Sequence, residues 1–393
     1  MNYRNDRYGL PLSILGFGCM RFPQSGGRID MKAAESLVRA AVGAGINYFD
    51  TAYIYPGSEA ALGEILEKNG LRDRVRIATK LPHYLIRSRE GLEKLFREEL
   101  KRLHTDRIDY YLMHMLTDVS AWERMKALGV EDFLAEKQRS GAIGQVGFSY
   151  HGGTESFCRL IDARDWDFCM IQYNYMDEHS QAGRRGLAYA HEKGLPVMIM
   201  EPLRGGKLAG NLPRAAQDVF DAHQPRRTPA EWAFRWLWDQ EEVTVVLSGM
   251  NSLGVLARNC AAASSAKAGA LAEEDREMLR RAAAAINADM AVSCTGCGYC
   301  MPCPRGVDIP GVFAAYNRRF LEGRVAALRE YVMCTALRRD GAGASACVEC
   351  GKCEQHCPQS IHIREELRKA RGALEGLPYK AVRAGVKLFK PYG

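Results

Sequence analysis

The sequence contains no apolar run long enough to cross a membrane, and its opening residues 1–6 hold no apolar core. A spanning helix needs about 20 consecutive apolar residues, and an export signal needs an apolar core near the start of the chain. Low-complexity segments are absent as well. These absences lead us to expect a cytoplasmic protein without a transmembrane segment.

A broad excess of positive charge is also missing. The net charge is +7, but residues 364–393 alone hold 8 Lys and Arg against 3 Asp and Glu. The remainder is nearly balanced, so it gives no reason to expect a nucleic-acid partner. The basic segment favours a solvated helix, and the alternative is a surface for an acidic electron-transfer protein or a membrane.

Cysteine is scarce before residue 290 and abundant after it, where nine of the 13 cysteines lie. Disulfides are unexpected in a chain without an export signal, so the tight spacing predicts metal binding. Eight of these cysteines form two groups that begin with Cys-x2-Cys steps and end at a cysteine before proline. The groups are Cys294, Cys297, Cys300 and Cys303, then Cys347, Cys350, Cys353 and Cys357.

This spacing predicts two 4Fe–4S clusters. Three cysteines at such spacing reach three corners of a cuboidal cluster, and the remote cysteine before proline serves the other cluster. We assign one cluster to Cys294, Cys297, Cys300 and Cys357, and the other to Cys347, Cys350, Cys353 and Cys303. Two residues, not the usual three, precede Cys303 in its group, so it stays open whether each group gives its last cysteine to the other cluster. Two structural zinc sites, each with four thiolates, are the alternative. The helical segment between the groups resembles the ferredoxin domains attached to some reductases.

Before the cysteine groups, strand-like runs alternate with segments of helical period. The runs lie at 13–18, 46–49, 75–79, 108–113, 143–148, 168–172, 196–200 and 243–247. Such alternation over about 250 residues is typical of parallel strands joined by helices. The predicted fold is α/β: an eight-stranded β/α (TIM) barrel with a smaller, mainly helical C-terminal iron–sulfur domain.

Three of these runs deliver a titratable group at the end where a β/α barrel builds its active site. Asp50, Lys80 and His114 close successive runs, and Tyr55 follows Asp50 in a loop. A free tyrosine has a pKa near about 10, and a nearby ammonium makes it a better acid. We interpret Tyr55 as a proton donor tuned by Lys80 and Asp50, with His114 orienting a carbonyl. Ordinary strand-end packing is the alternative.

The segments Phe49-Asp50-Thr51-Ala52, Tyr55-Pro56-Gly57-Ser58-Glu59, Ala78-Thr79-Lys80 and Leu112-Met113-His114 resemble the aldo-keto reductases, roughly over residues 1–270. The resemblance implies a catalytic tetrad of Asp50, Tyr55, Lys80 and His114, a bound NADP(H) and a small carbonyl or alcohol substrate. Near the nicotinamide it implies contacts from Met20, Arg21, Ser149, Gln172 and Asn174, with Tyr173 stacking. For the phosphates and adenosine it implies Leu203, Gly205, Lys207, Ser248, Gly249, Met250, Asn251, Arg258 and Asn259.

The choice between NADP and NAD stays open. Arg258 could pair with a 2′-phosphate, but Met250 and Asn251 replace the basic residue that the family usually has after the eighth strand. We expect a barrel over 1–270, a connecting helix over 271–290, a ferredoxin-like domain over 291–370 and a basic tail over 371–393.

The expected activity is NADP-dependent interconversion of a carbonyl and an alcohol by hydride transfer. Nicotinamide passes two electrons as a hydride, whereas an iron–sulfur cluster passes one. That mismatch keeps two alternatives open. One is a ferredoxin-coupled electron-transfer reductase containing a flavin, for which the sequence shows no site. The other is a redox-sensing subunit without catalysis.

Overall fold

The structure is a computed structural model that describes residues 1–210, 212–288, 291–292, 294, 296, 298, 300–338, 341–355, 357 and 361–389. Cys297, a predicted cluster ligand, lies outside these residues. None of the helices described has both the length and the apolar character that crossing a bilayer requires.

Eight parallel strands close into a barrel in sequence order, as predicted. The strands of the structure are β1 (Tyr3–Asn5), β2 (Pro11–Ser13), β3 (Leu15–Gly18), β4 (Gln24–Ser25), β5 (Arg28–Ile29), β6 (Tyr48–Asp50), β7 (Arg76–Leu81), β8 (Ile108–Leu116), β9 (Ile143–Tyr150), β10 (Phe168–Gln172), β11 (Val197–Met200) and β12 (Val243–Ser248). The barrel consists of β3 and β6 to β12. The antiparallel hairpin β1–β2 precedes it and places Leu12 in the barrel interior.

Helices follow the strands and cover the outside of the barrel. They are α1 (Met31–Gly43), α2 (Ser58–Lys68), α3 (Arg89–Arg102), α4 (Val119–Ala127), α5 (Val130–Arg139), α6 (Thr154–Asp162), α7 (Gly183–Glu192), α8 (Arg214–Ala222), α9 (Pro229–Trp238) and α10 (Leu253–Ser265). A further helix, α11 (Glu273–Asn287), packs on α8 and α9, where Met278 and Leu279 are buried in one cluster with Phe220 and Trp232. The segment predicted as a connector is thus attached to the barrel wall.

The alternation of side chains along the strands decides which groups reach the barrel mouth. Successive residues of a strand face opposite sides, so residues two apart share a side. Apolar side chains from the strands fill the interior. Three of the predicted catalytic residues each follow one of these by two positions: Asp50 follows Tyr48, Lys80 follows Ala78 and His114 follows Leu112. The pattern carries all three into the interior at the C-terminal mouth.

The end of the chain forms a helical unit with its own apolar core. Its helices are α12 (Ile309–Leu321), α13 (Arg324–Cys334), α14 (Lys352–Gln355), α15 (Ile363–Leu374) and α16 (Leu377–Phe389). Phe313, Tyr331, Leu367 and Tyr379 are buried together there, apart from the barrel core. The Tyr331 and Tyr379 rings lie 4.8 Å apart between centroids, which joins α13 to α16. We call α12–α16, together with the cysteine-bearing segments packed against them, the helical unit.

Two helical glycines differ in what surrounds them, and the difference predicts opposite effects on stability. A Cβ at Gly63 in α2 would lie 2.5 Å from the backbone carbonyl oxygen of Arg102, whereas one at Gly43 in α1 would meet no described atom within 4 Å. Gly63→Ala should lower the free energy of unfolding by about 1–3 kcal/mol through overpacking. Gly43→Ala should raise it by up to about 1 kcal/mol, since alanine restricts the unfolded chain. Urea unfolding of both variants measures the contrast, and equal effects would contradict the α2–α3 packing.

Candidate active site and cysteine sites

A buried ion pair stands at the centre of the barrel mouth. The Lys80 ammonium donates to both oxygens of Asp50, at 2.7 Å and 2.5 Å, and to the backbone carbonyl of Thr51 at 2.6 Å. Lys80 is 1% exposed and Asp50 is 4% exposed. Removing one member of such a pair would leave an uncompensated buried charge, so each fixes the other.

Tyr55 lies beside this pair in the short loop between β6 and α2. The Lys80 Nζ atom is 5.0 Å from the centroid of the Tyr55 ring. Two backbone hydrogen bonds shape the loop: Tyr55 donates to Ala52 at 3.0 Å and accepts from Ser58 at 3.1 Å. Gly57 then starts α2 with a φ of 71°, a left-handed conformation that glycine adopts without strain.

His114 completes the group from an irregular part of β8. The pairing of β8 with β9 shifts register between Met113 and Leu116, and Met115 has a φ of 60°. Such bulges re-aim side chains near active sites. The rings of His114 and Tyr55 stand nearly perpendicular, with centroids 6.2 Å apart. The buried Nδ1 of His114 has no hydrogen-bond partner in the described part of the chain.

Burial and the neighbouring charges set the protonation of these groups. Burial alone would lower the pKa of Lys80, but Asp50 and Tyr55 outweigh it and raise that pKa, so the ammonium stays charged. Burial raises the pKa of Asp50, and the ammonium opposes this rise. Burial, followed by the charge of Lys80, holds the pKa of His114 well below 6.5, so its imidazole is neutral. Burial also raises the pKa of Tyr55, while Lys80 opposes that shift.

The residues predicted to hold the nicotinamide divide into two sets. Gln172 is the last residue of β10 and shares the interior side of that strand with Phe168 and Met170. Its Nε2 donates to Asp177 at 3.3 Å. Asn174 uses its amide within the loop: Nδ2 donates to Asp177 at 3.0 Å and to the carbonyl of Glu201 at 3.3 Å, and Oδ1 accepts from the backbone of Met176 and Asp177. Asn174 therefore builds the loop, and Gln172 keeps an amide hydrogen for a ligand.

Tyr173 does not lie where a stacking role requires it. It is fully buried, its ring packs on Trp236 at 5.0 Å between centroids, and its hydroxyl donates to Gln240 at 3.2 Å. The reason is the strand period of two: Gln172 faces the interior, so the next residue faces the surrounding helices. The same alternation, applied to the sequence, would have excluded Tyr173.

The remaining predicted cofactor residues lie at the C-terminal ends of β9 and β12, on the segments after β3, β11 and β12, and on α10. Arg21 donates to the carbonyl of Gly205 at 2.8 Å, and the Asn259 amide donates to the Ser248 hydroxyl at 3.1 Å. The Ser149 hydroxyl accepts from the backbone N–H of Met115 at 2.8 Å. Leu203 is half-buried, and the exposed residues are Met20, Arg21, Gly205, Lys207, Gly249, Asn251 and Arg258. Met250 is 1% exposed, so its side chain is not available to a ligand.

These groups fit a dinucleotide. Gly205 and Gly206 have φ values of 72° and 99°, and a Cβ at Gly206 would meet no described atom within 4 Å, so the backbone there leaves room for a bulky anion. Ser252 caps α10 through its side chain, and a helix start offers backbone N–H groups to a phosphate. The hydroxyls of Ser149 and Ser248 each keep a hydrogen to donate.

The sequence did not reveal a set of charged residues that joins the barrel to the helical unit. Arg204 of the barrel approaches Asp177 at 3.3 Å and Glu322 of the helical unit at 3.9 Å. Arg318 of α12 lies 3.4 Å from Glu322 and 4.0 Å from Glu201, which follows β11. The only signal in the sequence was an arginine inside the Gly-rich turn after the seventh strand.

Five of the predicted cluster ligands line one cavity in the helical unit. The cavity has a volume of about 190 Å³ and is lined by thiols from both cysteine groups, namely Cys300, Cys303, Cys347, Cys350 and Cys353. In the described part of the chain, no three His, Cys, Asp or Glu side chains converge closely enough for a single metal ion. A cavity walled by thiols fits a multi-atom cluster better than one zinc ion.

The first cysteine group is described only in part. Cys294 lines a cleft of about 360 Å³ between the barrel and the helical unit, beside Met176, Asp177 and Arg204. Cys357 follows α14 and is partly buried. Cys334, outside both groups, is 5% exposed and packs in the core of the helical unit.

Comparisons with known proteins agree with this architecture. Residues 14–279 match the aldo/keto reductase family, and residues 293–361 match a 4Fe-4S dicluster domain. The chain is 34% identical over 266 residues to a 6-dehydroglucose reductase from Novosphingobium aromaticivorans, a match that covers 58% of this chain and 79% of that protein.

Two solved structures share the fold. An aldo-keto reductase from Bacillus halodurans in its holo form is 23% identical with a TM-score of 0.61, covering 72% of this chain and 96% of that one. An aldo-keto reductase from Klebsiella pneumoniae in complex with NADPH is 21% identical with a TM-score of 0.58, covering 71% and 94%. With the family match spanning most of the sequence, the chain belongs to the aldo/keto reductase family of oxidoreductases and carries a 4Fe-4S dicluster domain at its C-terminal end.

Proposed function

We propose that this oxidoreductase interconverts a small carbonyl compound and the corresponding alcohol with NADP(H) as the hydride carrier. The observation that carries the proposal is the buried Asp50–Lys80 ion pair beside the Tyr55 phenol and the His114 imidazole. A charged amine next to a phenol favours the phenolate, and so makes the phenol a better proton donor. The assembly of all four groups argues against a subunit that only senses redox state.

The bound nicotinamide would supply a hydride to the carbonyl carbon. Tyr55 gives its proton to the carbonyl oxygen, and in the reverse direction its phenolate takes the proton from the alcohol. Lys80 stays protonated throughout because Asp50 is held against it at 2.5 Å. His114 is neutral, so it donates a hydrogen bond to the substrate oxygen without competing as an acid.

The preference for NADP(H) over NAD(H) rests on the residue near the adenosine end of the cofactor. Arg258 is exposed on α10 shortly after the helix start, and its Nη1 lies 3.5 Å from the position that a Cβ of Gly254 would take. A guanidinium in this place suits a 2′-phosphate. Gln172, Ser149 and Ser248 keep hydrogens with which to hold the carboxamide and the phosphates.

For the helical unit we propose two 4Fe–4S clusters, one on Cys303, Cys347, Cys350 and Cys353, and one on Cys294, Cys297, Cys300 and Cys357. When bound, such clusters supply or accept single electrons. The protein's part is to hold the thiolates at the right spacing. An acidic electron-transfer protein is the partner that the basic C-terminal segment would suit.

Replacement of the phenol tests the proposed chemistry. Tyr55→Phe should reduce turnover of a carbonyl panel with NADPH at least about 100-fold, because general acid catalysis contributes on this scale. Its dissociation constant for NADPH should stay within about twofold, since the phenol does not hold the cofactor. Tyr189→Phe is the matched control, because it removes a hydroxyl from the outer surface, where Tyr189 donates to Asp162. Full turnover by Tyr55→Phe would contradict the proposal.

Substitution of one predicted cysteine ligand by serine tests the cluster assignment. Cys303→Ser should lower the iron and sulfide content of anaerobically purified protein by about half, since one of two four-iron centres loses a ligand. Cys334→Ser, a buried thiol whose Sγ donates to the carbonyl of Tyr331, should keep its iron. Unchanged iron in Cys303→Ser, or zinc in place of iron in the wild type, would contradict the assignment.

A further inference from the structure

The loop after β10 is organised around one buried carboxylate. Asp177 is 9% exposed, and its Oδ2 accepts from Gln172 at 3.3 Å and from Asn174 at 3.0 Å. A carboxylate can only accept, so it fixes which end of the Gln172 amide carries the free hydrogen. Gln181 supports the same orientation by donating to Gln172 Oε1 at 3.1 Å. Asp177 thus determines how Gln172 faces the cofactor site.

Arg204 balances the charge of Asp177 from the loop after β11. Its Nε lies 3.3 Å from Asp177 Oδ2, and its backbone has a φ of 46°. A non-glycine residue persists in this left-handed conformation only where its surroundings hold it. Gly205 and Gly206 continue the left-handed turn, and the Arg21 guanidinium donates to the backbone carbonyl of Gly205. The position of Arg204 therefore also shapes the loop that faces the cofactor phosphates.

The helical unit places a second negative charge, Glu322, near Arg204. Glu322, at the end of α12, lies 3.9 Å from Arg204 and 3.4 Å from Arg318. Arg318 in turn donates to Glu330 of α13 at 2.8 Å and lies 4.0 Å from Glu201 of the barrel. The side chain of Glu322 is 12% exposed and that of Arg318 is 10% exposed. Charges of opposite sign thus alternate through a nearly dry interface, where loss of one charge leaves its neighbours less fully compensated.

We propose that Asp177 and Arg204 are positioning residues for the nicotinamide end of the cofactor, and that Glu322 makes their arrangement depend on the docking of the helical unit. The iron–sulfur domain then contributes to NADP(H) affinity through this chain of charges, without itself contacting the cofactor. The inference rests on the proposed use of NADP(H).

A charge-neutral variant of Glu322 tests the inference. Glu322→Gln in the full, cluster-containing chain should bind NADPH about tenfold more weakly, because it removes a negative charge from a buried ion-pair network. Quenching of tryptophan fluorescence by NADPH measures the dissociation constant. Glu365→Gln removes one negative charge from the exposed face of α15, where Glu365 pairs with Lys369, and should bind like the wild type.

A double-mutant cycle separates positioning from general loosening of the fold. Asp177→Asn should also weaken NADPH binding about tenfold, because the neutral side chain loses the charge that faces Arg204 and accepts more weakly from Gln172 and Asn174. If Glu322 acts through Asp177, the variant with both substitutions should bind NADPH with about the same dissociation constant as whichever single variant binds NADPH more weakly. Independent effects would multiply to about 100-fold.

Each outcome decides one of the two ideas. A wild type that does not bind NADPH overturns the proposed function, and the inference with it. A wild type that binds NADPH, with Glu322→Gln binding equally well, overturns the inference alone. Multiplying effects in the cycle would likewise overturn it.

Discussion

The ion pair between Asp50 and Lys80 is the constraint on which the active site depends. Two opposite charges are buried at the barrel mouth with three hydrogen bonds from one ammonium. Taking them out of water is costly, and the mutual attraction offsets that cost only while the geometry holds. The pair therefore fixes where a permanent positive charge stands, and this charge acts on both Tyr55 and His114.

The barrel strands place Asp50 and Lys80 next to each other. Interior side chains such as Tyr48, Ala78 and Leu112 pack the centre, and the next interior positions on the same strands are Asp50, Lys80 and His114. Rigid parallel strands hold those groups more precisely than loops would. Only Tyr55 comes from a loop, and that loop is tied down by Thr51 and Ser58, whose hydroxyls lie 2.8 Å apart. The arrangement joins a fixed charge to a phenol on a half-buried loop residue.

Much of this could be predicted from the sequence because it follows from local rules. The eight strand-like runs, their helices and the strand-end positions of Asp50, Lys80 and His114 depend on periodicity along the chain. The error over Tyr173 came from reading a motif without applying the two-residue period. The network of Asp177, Arg204 and Glu322 could not be predicted, since it joins residues far apart in sequence and depends on how the helical unit sits against the barrel.

The central claim concerns the ionisation of Tyr55, which can be measured directly. The ultraviolet difference spectrum between the wild type and Tyr55→Phe, followed against pH, reports the pKa of this one phenol. The same difference in a Lys80→Met background reports it without the ammonium. Because Lys80 favours the phenolate, we predict that Tyr55 ionises at higher pH once Lys80 is gone. An equal or lower pKa in the Lys80→Met protein would contradict the account.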